Sequence, residues 1–119
     1  MDTRSKIIGI EEAARHTGHT AVLSTFDVLT APRIRRLREI ADRGRPLLAI
    51  VTEQPGSLLP LRARAELAAS LAIIDVVVIV QEFVPGLFPN VLDEREPDER
   101  RTLDLIELIQ RRNRTAAGA

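Results

Sequence analysis

The sequence predicts a doubly wound α/β domain, a small parallel sheet with helices on both faces. Three observations predict it. Short β-prone runs and amphipathic helical stretches alternate along the chain, the pattern of strands joined by helical crossovers. Two of the runs, 47–52 and 76–80, are apolar on both faces, as strands covered on both sides are. The chain has 119 residues and 45% apolar side chains, enough for one domain with a real core.

The elements follow in order. Ile7, Ile10 and Ala14 are spaced for one face of a short helix, which Gly18 can end in a left-handed conformation. The run 21–26 (Ala-Val-Leu-Ser-Thr-Phe) is the first strand. A helix is predicted over 32–43. Pro32 suits its first turn, Ile34, Leu37, Ile40 and Ala41 share one side, and Gly44 supplies the C-terminal cap. The second strand is 47–52, and 53–59 is a loop carrying Pro55-Gly56. Pro60 opens a helix to about residue 74 with Leu67, Leu71 and Ile74 on the buried stripe. The third strand is 76–80, and Val91-Leu92 is a further short extended piece. Pro97 and Asp98 open the last helix, with Leu105, Leu108 and Ile109 facing inward. Its acids (Asp98, Glu99) stand at the front and Arg111, Arg112 and Arg114 at the rear, which complements the helix dipole. The sum is a Rossmann-like fold in a single domain over 1–119, with 115–119 frayed.

Composition excludes several functions. Seventeen basic and seventeen acidic residues balance, which argues against a nucleic-acid or membrane-surface protein. No cysteine is present, so disulfides, thiolate metal sites and a cysteine nucleophile are excluded. The only aromatics are Phe26, Phe83 and Phe88, too few for a base-stacking platform. The most apolar region, 67–80, is interrupted by Ser70 and Asp75 and is too short to span a bilayer. No targeting segment is visible, so the expected location is the cytoplasm.

In a doubly wound sheet, ligands bind beyond the carboxyl ends of the strands. The segments to inspect are therefore 25–33, 52–59 and 81–89. After the first strand comes Thr25-Phe26-Asp27-Val28-Leu29-Thr30-Ala31-Pro32-Arg33, leading into a helix. This resembles the cytidylyltransferase-like nucleotidyltransferases, in particular the adenylyltransferase domain of ADP-heptose synthase and glycerol-3-phosphate cytidylyltransferase. That family has Gly-(Thr/Cys)-Phe-Asp, then x-Leu-His-x-Gly-His at a helix start. Thr25-Phe26-Asp27 and Leu29 match. Pro60-Leu61-Arg62-Ala63-Arg64 resembles the family's proline and arginine helix, and Ile74-Asp75-Val76-Val77-Val78 its Val-Asp-x-Val-Val segment. The resemblance covers about residues 5–81 and implies the fold, with Thr25, Phe26, Asp27, Thr30, Arg33 and Arg64 as nucleotide-binding candidates.

The chain departs from the family where the chemistry sits. At the two histidine positions stand Thr30 and Arg33, the glycine between them is Pro32, and the glycine before Thr25 is Ser24. Pro32 also removes a backbone N–H from the phosphate-facing helix terminus. The loop 53–59 has no basic residue, and the family's late (Ser/Thr)-(Ser/Thr)-x-x-(Arg/Lys) motif is absent. Losing one preorganised charge-stabilising donor costs roughly 10²–10³ in rate. Thr30 and Arg33 are therefore vestigial catalytic positions. The expected function is a catalytically silent nucleotidyltransferase-like domain acting through binding or dimerisation. The alternatives are an active transferase, passing AMP or CMP from ATP or CTP with Mg²⁺ to a phosphorylated sugar or polyol, and a non-catalytic nucleotide or phosphate sensor.

Each candidate also has a plainer role. Asp27 can accept backbone N–H bonds in the turn after the strand, Thr30 can cap the helix, and Arg33 can belong to a solvated basic face with Arg35, Arg36 and Arg38. Arg64 can brace the pocket or pair with Glu66 or Asp75, and Asp75 can cap a helix-to-strand turn. His16-Thr17-Gly18-His19 spells the family motif but precedes a strand, so it reads as a cap and a solvated turn. Two histidines with no Asp or Cys beside them in sequence make a poor metal site, and none is expected. The stretch 93–101 reads as a solvated loop and helix start. Phe83, Leu87, Phe88, Val91 and Leu92 either cover the sheet or form a homodimer surface.

Overall fold

The computed structural model describes residues 3–16, 18–27, 29–42, 44, 46–53, 56–83, 86, 88 and 91–118, with side chains to 114. After a 3₁₀ turn (Thr3–Lys6) the elements are β1 (Ile7–Ile8), α1 (Ile10–Ala13), β2 (Thr20–Ser24), α2 (Ala31–Ala41), β3 (Leu47–Thr52), α3 (Leu61–Ser70), β4 (Ile74–Val80), β5 (Val91–Asp93) and α4 (Arg95–Gly118). The five strands form one sheet in the order β1-β4-β3-β2-β5, every neighbouring pair parallel. This is the Rossmann-like α/β fold.

Alternation along the central strands sets the two cores. Val22, Leu47, Ala49, Val51 and Val77 meet Leu37 and Ile40 of α2 and Ala65, Ala68 and Ala69 of α3. The intervening residues, Ala21, Leu23, Leu48, Ile50, Val76, Val78 and Val80, meet Ala13 of α1 and Phe88, with Ile8, Phe83 and Val91 at the margin. Winding follows from handedness. The β2-to-β3 and β3-to-β4 crossovers run one way across the sheet on the first face, so the β1-to-β2 and β4-to-β5 connections, which run the other way, take the second.

Three expectations are corrected. Ile7 lies in a strand, not a helix: Ile7 and Ile8 pair with Val77 and Val78 at the sheet edge, a run too short for periodicity to betray. The stripe of α3 is shifted. Its buried residues are Arg64, Ala65, Ala68 and Ala69, Leu67 is 39% exposed, and Ile74 already opens β4. Alanines bring the helix close to the sheet, and that contact outweighs the larger leucine's preference for the core. In α4, Leu108 and Ile109 are 42% and 49% exposed, because the helix leaves the body before it reaches them.

The chain's one lysine has a role the sequence did not announce. Lys6 Nζ donates to the carbonyls of Leu71 (3.1 Å) and Ile74 (2.8 Å), where α3 ends and β4 begins. The ammonium thereby ties the turn after α3 to the first residue of β4. Among the described residues no helix is long and apolar enough to cross a membrane.

The phase of α3 can be tested by urea unfolding. Leu67→Ala should change stability by no more than about 0.5 kcal/mol, whereas Ala68→Leu should cost about 1–3 kcal/mol by overpacking the helix–sheet contact.

Candidate functional site

The strand order places the topological switch at β2. The chain leaves β2 toward β3 on one side and returns to β5 on the other, so the crevice beyond the carboxyl ends of β2 and β5 is the position for a ligand. A cleft of about 190 Å³ lies there, lined by Thr25, Asp27, Gly56, Ser57, Glu99, Thr102, Leu103 and Ile106.

Thr25-Phe26-Asp27 leaves β2 through a sharp turn. Phe26 has φ 51°, the left-handed region that a non-glycine residue rarely occupies, and its ring is buried in the first core. Such a backbone costs of order 1–3 kcal/mol and persists where surrounding contacts hold it. Phe26 is therefore a packing residue at the root of the cleft. Asp27 accepts backbone N–H bonds, as the plainer reading has it, but not within its own turn. Its carboxylate takes the amides of Leu58 (2.7 Å) and Leu59 (2.9 Å), from the loop after β3. Both carboxylate oxygens thus hold one wall of the cleft.

Arg64 holds the other components. Its side chain is 0% exposed. Nη1 donates to the carbonyls of Thr25 and Thr52, both at 2.8 Å, Nε to that of Leu59 at 3.0 Å, and Nη2 to Glu53 Oε1 at 2.6 Å. The guanidinium therefore ties the ends of β2 and β3 to the loop that enters α3. It pairs with neither Glu66 nor Asp75: Glu66 lies 3.4 Å from Arg62, and Asp75 takes His19.

Arg33 is 3% exposed, so it is not part of a solvated face. Its Nη2 donates to the carbonyl of Asp98 and the hydroxyl of Thr102, and its Nε lies 3.5 Å from Asp98 Oδ1. Burial lowers its pKa, and the neighbouring Asp98 opposes that shift. Asp98 also accepts from buried Ser24 and from Arg101. One turn along α2, Arg36 Nε donates to Glu94 at 2.7 Å, and that hydrogen bond raises the Arg36 pKa. In the stretch 93–101 the helix starts at Arg95 and most residues are solvated, as expected, but Glu94 and Asp98 are the exceptions, buried against α2. Thr30 stands at the N-cap position of α2, with φ −79° and ψ 164°, but its side chain makes no capping bond.

Of the six nucleotide-binding candidates, only Thr25 and Asp27 line the cleft. Sequence reasoning missed Glu99, Thr102 and Leu103, because nothing local says that β5 returns beside β2. A signal was present in the spacing. Arg33 and Arg36 (i, i+3) complement Glu94 and Asp98 (i, i+4), as two docked segments would. The cleft offers carboxylates from Asp27 and Glu99, hydroxyls from Thr25, Ser57 and Thr102, and no cationic side chain among the described residues that line it.

At the opposite end of the sheet, His19 Nε2 lies 2.7 Å from Asp75 Oδ2, and the rings of His16 and His19 meet edge to face. The absence of an aspartate partner is corrected, since Asp75 is distant in sequence and adjacent in space. It serves His19 and not a helix-to-strand cap. Thr17 of this motif lies outside the described residues, and no group of three or more His, Asp or Glu among those described is placed to hold a metal ion. Phe88 is buried, and Phe83 and Val91 pack beside it on the second sheet face, while Leu92 packs against the first core. Leu87 lies outside the described residues.

No protein-family model matches the chain, and no curated protein matches it in sequence.

One measurement tests this site, and a second tests the β5–α4 junction. Arg64→Met should cost about 3–5 kcal/mol in urea unfolding, because it leaves the carbonyls of Thr25, Thr52 and Leu59 without their donor. The second concerns Asp93, whose pKa is lowered by its side-chain hydrogen bond from Arg95. The stabilisation from that shift is complete above the ordinary aspartate range and is lost as pH falls through the lower folded value. Arg95→Ala should return the Asp93 carboxyl toward its ordinary pKa in an NMR titration.

Proposed function

We propose that the chain is a cytoplasmic, catalytically silent domain of nucleotidyltransferase-like type, which keeps the scaffold and acts through association. One observation carries the reading. The two arginines that could meet phosphate, Arg33 and Arg64, are buried, and their donors are directed to carbonyls, Thr102 and carboxylates of the chain itself. Using either for phosphate would break bonds that hold α4 or the strand ends in place.

The lining of the cleft supports the same reading. Phosphate recognition needs positive charge or converging N–H donors. Asp27 and Glu99 supply the opposite charge, and the Leu58 and Leu59 amides already serve Asp27. Pro32 removes one donor at the start of α2. An attacking group and a departing pyrophosphate would find no cation among the described lining residues to offset the charge that builds in the transition state.

The reading is tested by thermal unfolding with ATP·Mg²⁺ and CTP·Mg²⁺. A nucleotide present at 100 times its dissociation constant would add about 2.7 kcal/mol and raise Tm by several degrees. The expected result is no shift and no pyrophosphate release. Arg33→Ala should lower Tm equally with and without nucleotide and speed hydrogen exchange at the start of α4. Pyrophosphate release that Arg33→Ala abolishes would instead establish an active transferase. A nucleotide-selective shift without release would establish a sensor.

A further inference from the structure

We infer that the cleft beyond β2 is a binding site for a small aliphatic diamine, with one ammonium between Asp27 and Thr25 and the other on Glu99. The inference goes beyond the association reading and does not depend on it.

The observation that carries it is the Thr25 hydroxyl. Thr25 is 6% exposed and lines the cleft. Arg64 takes its backbone carbonyl, but its hydroxyl has no hydrogen-bond partner among the described residues. The oxygen is not sealed into the core, so the surface it keeps opens on the cleft. A nearly buried hydroxyl without a partner costs free energy that a bound donor recovers.

Asp27 stands beside it, 4% exposed. Each of its carboxylate oxygens accepts one amide, from Leu58 and Leu59. A carboxylate has acceptor sites for about four donors, so capacity remains on the cleft side. Arg33 lies within electrostatic reach of Asp27, but its Nη2 is committed to the Asp98 carbonyl and Thr102.

Glu99 is the second carboxylate. The arginines around it are committed elsewhere: Arg95 to Asp93, Arg100 to Glu96 and Arg101 to Asp98. Glu99 itself has no hydrogen bond or ion pair among the described residues. It is exposed where Asp27 is buried, so the cleft carries one carboxylate at its floor and one at its mouth.

Charge and shape then select the ligand. A primary ammonium brings three donors and a positive charge, which a carboxylate and a hydroxyl can accept together. A divalent metal ion is poorly served, since no group of three or more His, Asp or Glu among the described residues is placed to hold one. Leu103 and Ile106 line the cleft as well, apolar surface that suits methylene groups and not a hydrated ion. A cavity of about 150 Å³ holds benzene, and this cleft, at about 190 Å³, has room for a chain of as many heavy atoms. Putrescine, the four-carbon diamine, is such a chain.

The amides of Leu58 and Leu59 report on the site, because both are bonded to Asp27. NMR titration of the labelled chain with putrescine at fixed ionic strength should move both resonances saturably. The uncharged diol isostere and MgCl₂ should move neither. Glu99→Gln should raise the putrescine dissociation constant about threefold or more and leave that of butylamine unchanged. Thr25→Val should raise both by about fivefold. No movement up to about 50 mM putrescine, equal movement with the diol or MgCl₂, or a dissociation constant indifferent to both variants overturns the inference. Nucleotide turnover would overturn the preceding reading and leave diamine binding standing, whereas failure to bind diamine would remove only this inference.

Discussion

The Arg64 guanidinium is the interaction on which the carboxyl end of the sheet depends. It is buried and binds backbone carbonyls from the end of β2, the end of β3 and the loop entering α3, with Glu53 as its carboxylate. Carbonyls at strand ends have no ladder partner and cannot reach water once a helix covers them. An arginine offers several donors in a rigid fork, so one side chain satisfies three of them in one plane. Asp27 does the complementary work with acceptors, holding the Leu58 and Leu59 amides. Together they join the β2–α2 and β3–α3 loops into one rim.

That solution constrains function. Cations close to the switch point of a doubly wound fold are natural phosphate ligands, but here they are structural. Arg64 closes the rim and Arg33 fastens α4, while the remaining lining carries carboxylates and hydroxyls. A ligand role and a bracing role compete for the same N–H groups. The strained Phe26 fits this account, since the left-handed turn drops its ring into the core and aims Asp27 at the neighbouring loop.

The root of α4 is a second polar assembly, in which α2 supplies arginines and the β5–α4 junction supplies acids. Arg36 with Glu94, and Arg33 with Asp98, fix the direction in which α4 leaves the domain. A buried pair such as Arg33 with Asp98 adds little net stability over apolar packing but specifies geometry, because breaking it leaves an uncompensated charge.

The sequence by itself determined the fold class and the position of the three long strands, because uninterrupted β-branched runs between amphipathic stretches have few other solutions. It also marked β2's end as the place to look, and Asp27 as an acceptor of backbone amides. Tertiary structure decided what the site residues do. Arg33, Arg64 and Asp75 find partners 65, 39 and 56 residues away respectively, and no local period encodes that. It also decided which face of α3 is buried, since small alanines win only when a sheet lies close. And it decided that Leu108 and Ile109 stand in the open, because amphipathicity names the face to be covered and only the packed fold shows where the core ends.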